Sequence, residues 1–191
     1  VSTNGESAFG PSSTSSGKSG EIRPFTWTAG ADFGQLVLRF ALGGTFIAHG
    51  AQKIFGAFGG PGITGFAQFL QSKGFTQTTL LAWLTGLTEL VGGALVVIGL
   101  FTPLAAAGLL AVMINVVILK WSGGFFLGQQ AAGFEFDLAL GAMAAGIVLT
   151  GPGRLGLDTG FFWSRRPLGV GVACLAIAVA ATLLMQLVFR T

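Results

Sequence analysis

Charge is what this sequence has least of. Asp, Glu, Lys and Arg make up 9% of its 191 residues, against about a quarter in an ordinary soluble domain. That shortage excludes a conventional water-soluble fold, and a mean hydropathy of +0.77 with several long apolar runs places the chain in the membrane class. Cysteine is almost absent too. The single Cys174 sits inside an apolar run, so the chain has no CxxC pair, disulfide framework or thiolate metal cluster, and dithiol redox chemistry of its own is excluded. A single histidine, His49, cannot build a zinc or haem site alone, so no metal is expected. The net charge of +3 comes from scattered Lys and Arg. No basic run is long enough to follow a phosphate backbone, which argues against a nucleic-acid partner.

What is present is a set of apolar segments with polar residues sunk into them. Residues 1–24 are Ser, Gly and Thr rich, lack a packable face, and show no apolar h-region of the kind a signal peptide needs. Residues 1–32 are therefore expected to form a cytoplasmic tail, disordered alone and docked on a partner. Spans are predicted over Phe33–Phe55, Thr79–Leu100, Leu104–Trp121, Phe134–Thr150 and Leu168–Phe189. Between the first two, ITGFAQFLQSKGF places Phe66, Phe69, Leu70 and Lys73 at helical spacing, the pattern of a short helix lying at the interface. The fold class is thus an all-α integral membrane protein, a four-helix bundle over 33–158 followed by a linker and a fifth transmembrane helix over 159–191. Five spans put Arg154, Arg165 and Arg166 on the side of the N-terminus, at the membrane surface, and Lys53, Lys73, Lys120 and Arg190 on the other. The positive-inside rule then favours a cytoplasmic N-terminus. Gly43, Gly44, Gly86, Gly92, Gly93, Gly108, Gly141 and Gly146 read as close helix approaches.

Ionisable groups at membrane depth face a protein interior or a wet cavity and take partners. Glu89 lies near the middle of the second span, and Arg39 about 7 Å from the midplane at ~1.5 Å rise per residue, so an Arg39–Glu89 ion pair is expected. The plainer reading of such a pair is a contact that fixes helix register. His49, with Lys53 one turn further on, lies in the other half of the bilayer. Glu135 and Asp137 enter on that side, and Asn115 and Trp83 lie at similar depth. His49, Lys53, Glu89, Asn115 and Glu135 form the candidate pocket, able to hold a quinone head or relay a proton. The plainer reading of His49 is a packing residue. The sequence assigns no cofactor; quinone and lipid are the candidates. GPGRLGLD reads as a helix stop, with Arg154 at head-group level and Asp158 capping the segment after it. The fifth span, without charge from Val170 to Leu187, reads as a lipid-facing or partner-facing anchor, with Cys174 as inert packing.

Four blocks, LVLRFALGGTFIAHGAQKIFG, LTELVGGALVVIGLFTPLAA, GFEF and LTGPGRLGLD, occur in that order and together resemble the DoxX family of small bacterial membrane proteins over about Gly34 to Asp158. By position, the family's polar residues fall on Arg39, His49, Gly50, Lys53, Glu89, Gly92, Glu135 and Arg154. The resemblance implies a multi-pass protein of the bacterial plasma membrane, in the neighbourhood of membrane redox complexes such as a thiosulfate:quinone oxidoreductase. The Ser-rich tail and fifth span lie outside the family core. The expectation is therefore an accessory, non-catalytic subunit of a membrane redox complex, such as an actinobacterial respiratory supercomplex, its partners being lipids and other membrane subunits. The alternative is a quinone-linked oxidoreductase component with an intramembrane head-group pocket. A small proton or solute pathway is a third reading.

Overall fold

The computed structural model describes residues 29–128 and 133–190, except for the side chain of Arg165. The tail's expected disorder and docking fall on residues 1–28 and lie outside the described residues. The described residues form seven α-helices: α1 Ala29–Phe55, α2 Gly62–Ser72, α3 Thr78–Ile98, α4 Thr102–Lys120, α5 Glu135–Thr150, α6 Phe162–Arg165 and α7 Pro167–Val188. Among the described residues there is no strand, only an isolated bridge between Phe75 and Arg190. Three stretches, Thr78–Ile98, Thr102–Gly123 and Pro167–Val188, are each long and apolar enough to cross a membrane. The α1 helix has the length but also carries Asp32, Arg39 and Lys53. The α5 helix has 16 residues, about 24 Å at 1.5 Å per residue. Both are held in the bundle by their neighbours.

The five long helices pack as a bundle, α1 against α3, α3 against α4, and α4 against both α5 and α7; α7 runs parallel to α4, Thr182 standing by Ala111 and Gln186 by Asn115. The α1–α3 seam is set by glycine. A methyl group on Gly43 would lie 2.5 Å from the Gly93 carbonyl oxygen, and one on Gly93 would lie 2.7 Å from that of Gly43. Only hydrogen fits, which is how helices associate in lipid without a hydrophobic driving force. Gly44 and Gly146 differ from this expectation, since nothing lies near either and both face outward. The core is filled by Leu42, Phe46, Val96, Ala106, Leu109, Ala144 and Ile147. A second cluster, Ala67, Leu70, Phe75, Leu81 and Ala82, seats the amphipathic α2 on the start of α3.

The fifth long helix keeps most of its surface outward and packs one face on the bundle. The α7 helix buries Gly171, Cys174, Ala178 and Thr182 against α4 and α5. The Thr182 hydroxyl donates 3.0 Å to the Ala178 carbonyl and 3.4 Å to that of Ala111 on α4. Cys174 is a buried packing residue. At its C-terminal end the Phe189 carbonyl accepts the Thr76 amide at 2.7 Å, tying α7 to the loop after α2.

At the end of the bundle where α1 begins, polar groups are consumed by backbone. Arg39, 1% exposed, donates from Nε to the Val96 carbonyl (2.8 Å), from Nη2 to Val97 (2.6 Å) and from Nη1 to Pro152 (2.9 Å). Gln35 donates to the Gly151 carbonyl at 2.6 Å. The buried Asp158 carboxylate accepts the amides of Phe101 (2.8 Å) and Thr102 (2.7 Å). It therefore caps α4, which precedes it by more than fifty residues, and not the segment after it. The GPGRLGLD loop folds back to lock the α3–α4 turn, with a cation on the carbonyls that end α3 and an anion on the amides that begin α4. This is the sense a helix dipole favours.

Candidate functional site

The opposite end of the bundle is open. A cavity of about 530 Å³ runs from the middle of the bundle toward the ends of α1, α4 and α7. Its walls are largely apolar, and its polar groups come from four helices: His49 and Lys53 on α1, Glu89 on α3, Asn115 and Lys120 on α4, and Asp137 on α5. The volume lies within the range of about 300–1,000 Å³ usual for small-molecule sites. The α1–α3 seam sets part of its geometry. A methyl on Gly50 would lie 2.5 Å from the Leu90 amide nitrogen, and one on Gly86 would lie 2.8 Å from Ile54. These two approaches bracket the level at which Lys53 meets Glu89.

Two ion pairs face the cavity. Lys53 Nζ lies 2.6 Å from Glu89 Oε2, the carboxylate being 2% exposed, and 5.1 Å from the centre of the Phe66 ring on α2. Lys120 Nζ lies 2.7 Å from Asp137 Oδ2. Asn115 donates to the Ala111 carbonyl at 2.9 Å and accepts from the Gln186 amide of α7 at 2.8 Å. The half-buried His49 ring makes no hydrogen bond among the described residues. Each lysine ammonium has three N–H groups and only one carboxylate partner, so spare capacity at the cavity is mostly donor. The four ionised groups sum to zero formal charge. No group of three His, Cys, Asp or Glu fit to hold a metal occurs among the described residues.

The structure corrects the expected Arg39–Glu89 pair. Lys53 neutralises Glu89, while Arg39 lies at the other end of α3 with its three hydrogen bonds already made to carbonyls. Charge and depth alone had suggested the wrong cation. Glu135 does not line the cavity. Its carboxylate accepts the Leu127 amide of the preceding loop at 3.1 Å, and Asp137, two residues and about 200° further around α5, takes the inward position. Trp83, 43% exposed, faces away from the bundle. His49, Lys53, Glu89 and Asn115 are brought together as expected. Lys120, read from the sequence only as a cation on the far side of the membrane, pairs with Asp137 across the loop. Gln186 was also missed, its signal being Thr182 and Gln186 four residues apart on one face of an otherwise apolar helix. Arg154 and Arg166 are exposed at the far end, and the Arg165 side chain is not among those described.

Fold and cavity together define an all-α integral membrane protein with a ligand-sized, apolar-walled chamber inside its bundle that carries a few polar groups. Comparison with known proteins agrees. The DoxX family model matches residues 34–121, which hold most of α1, all of α2 to α4 and every polar cavity residue named above except Asp137. An uncharacterized membrane protein of Mycobacterium tuberculosis is 32% identical over 134 residues, covering 64% of this chain and 78% of its own. The Bacillus subtilis protein named "Putative oxidoreductase CatD" is 30% identical over 135 residues, covering 71% and 92%. No solved structure matches the chain. The chain belongs to the DoxX family.

Proposed function

We propose that this protein is a quinone-binding subunit of a bacterial membrane redox complex, with the cavity between α1, α3, α4 and α5 as the head-group site. The observation that carries the reading is the convergence of His49, Lys53, Glu89, Asn115, Lys120 and Asp137 on one apolar-walled cavity of about 530 Å³. Apolar walls with a few convergent polar groups suit a lipid-soluble ligand with a compact polar head. The spare donors on Lys53 and Lys120 suit a head that presents acceptor oxygens, as the two carbonyls of a quinone do. A neutral head also leaves the balanced charges of the site undisturbed, whereas an anionic one would add an uncompensated charge in a low-dielectric setting.

The family relationship and the name of the Bacillus subtilis relative support a redox setting. With one cysteine, buried in packing, this chain has no dithiol couple to supply electrons. In this reading a partner subunit supplies them, and the chain is an accessory component that presents the quinone. In the plasma membrane with the N-terminus cytoplasmic, the chamber opens toward the outer leaflet. Reporter fusions at each end of the chain test that orientation.

The test of the function is titration of the full chain in lipid nanodiscs with a short-chain menaquinone or ubiquinone analogue, read by tryptophan quenching. Saturable binding is expected, weakened at least about tenfold, or ~1.4 kcal/mol, in Glu89→Gln and in His49→Phe. Non-saturable quenching, or equal affinity in all three proteins, rejects the reading. Mild-detergent purification followed by a visible spectrum tests the partnership. Haem or flavin bands in the eluate support it, and a spectrally silent, solitary chain rejects it.

A further inference from the structure

A second concavity, of about 410 Å³, lies at the closed end of the bundle, between the end of α5 and the start of α7. It is separate from the quinone chamber and does not depend on that reading. Antiparallel packing of α5 and α7 brings Thr150 and Pro167 to the same level. The chain between them, instead of closing tightly, runs through the GPGR turn, a 3-10 turn over Leu157–Gly160 and the short α6. Arg154, Thr159 and Ser164 line the space so formed.

Three features give this groove a chemical preference. Arg154 is only loosely engaged. Its backbone amide donates to Asp32 Oδ1 at 3.0 Å, but its guanidinium approaches Asp32 Oδ2 only at 3.9 Å through Nε, and the side chain is 74% exposed. The two terminal nitrogens of the fork are thus left for another acceptor, and a planar guanidinium fork matches a phosphate in two-point contact. The Thr159 hydroxyl, also exposed, has no partner among the described residues, whereas that of Ser164 is used on the Asp158 carbonyl at 2.6 Å. Finally, the same segment exposes Leu155, Leu157, Phe161 and Phe162, and Leu168 and Val172 are exposed at the start of α7. Apolar side chains in such number beside an unsatisfied arginine belong at the boundary between head groups and acyl chains, where they contact lipid while the cation meets phosphate.

The geometry points to a phospholipid site here: the groove between α5 and α7 takes the phosphodiester of an anionic head group on Arg154, with Thr159 as a second donor and the exposed start of α7 as the acyl track. Arg166, exposed nearby, adds a long-range preference for anionic over zwitterionic lipid.

The full chain, reconstituted in phosphatidylcholine nanodiscs with and without phosphatidylglycerol, is released for native mass spectrometry to count retained lipids. Wild type is expected to retain phosphatidylglycerol over phosphatidylcholine by about tenfold. Arg154→Gln should abolish the preference, Thr159→Val reduce it, and Arg154→Lys, which keeps charge without the fork, fall between. Lys73→Gln, an exposed cation at the opposite end, should match wild type. Undiminished preference in Arg154→Gln, or equal loss in Lys73→Gln, overturns the proposal. A parallel arm adds inorganic phosphate. Displacement of the retained lipid by millimolar phosphate assigns the groove to a free anion and overturns the lipid source, whereas persistence of the lipid supports it.

Discussion

The two ends of this bundle spend their buried charges in opposite ways. Where α1 begins, Arg39, Gln35 and Asp158 bond to backbone carbonyls and amides, which have fixed positions and no further chemistry to offer. Where α1 ends, Lys53, Glu89, Lys120 and Asp137 bond to one another across a cavity, with donor capacity left over. Both arrangements satisfy the rule that intramembrane ions must be sheltered. They differ in what remains afterwards: the first leaves a fastened turn, the second a pair of cations with N–H groups to spare facing a void. Depth in the membrane does not distinguish a fastener from a site. The partner does.

That contrast can be broken by substitution. The largest effect is expected from Arg39→Ala, which strands the Val96, Val97 and Pro152 carbonyls in the interior and should lower the unfolding free energy in mixed detergent by about 3–5 kcal/mol. Quinone affinity of the molecules that remain folded should be unchanged. A loss within about 0.5 kcal/mol, typical of an ordinary surface change, would show that this end is not fastened by Arg39. Next comes Lys53→Met, which leaves Glu89 without its cation and should cost about 2–3 kcal/mol of stability. Unlike the first, it should also weaken quinone binding at least about tenfold. The double replacement Lys53→Met with Glu89→Leu should recover most of the stability and none of the binding, and recovered binding would contradict the site.

A smaller loss, about 1–2 kcal/mol, is expected for Asp158→Ala, which uncaps α4 at the closed end and should leave ligand affinity intact. Amide hydrogen exchange should quicken at Phe101 and Thr102 before it does elsewhere. Smallest is Trp83→Ala, expected to stay within about 0.5 kcal/mol and to leave binding unaltered, because the ring faces outward. If Trp83→Ala instead matched His49→Phe in the titration, the boundary drawn around the cavity would be wrong.

Several features of the bundle are legible in the chain alone. Helix order, the amphipathic α2 and the gathering of His49, Lys53, Glu89 and Asn115 come from periodicity and height, because a helix of 1.5 Å rise converts residue number into height. The Arg39–Glu89 error shows where height stops being enough. Two cations on α1 flanked Glu89, and which one reached it depended on the α1–α3 register, set by glycine contacts such as Gly43 on Gly93 and Gly50 on Leu90. A similar gap separates Glu135 from Asp137. Both stand at the same depth, and rotation of α5 about its axis turned one toward the loop and the other toward Lys120.

The sequence by itself determined that charged groups lie within apolar helical segments here, on which helices and at what height along them, since hydrophobic length and helical rise are local properties of the chain. Only the tertiary structure decided who pairs with whom, that α7 packs one face on the bundle, and that one end is sealed while the other encloses a chamber. Those outcomes depend on helix rotation and register, which arise from contacts between segments distant in the chain and leave no mark on any single one of them.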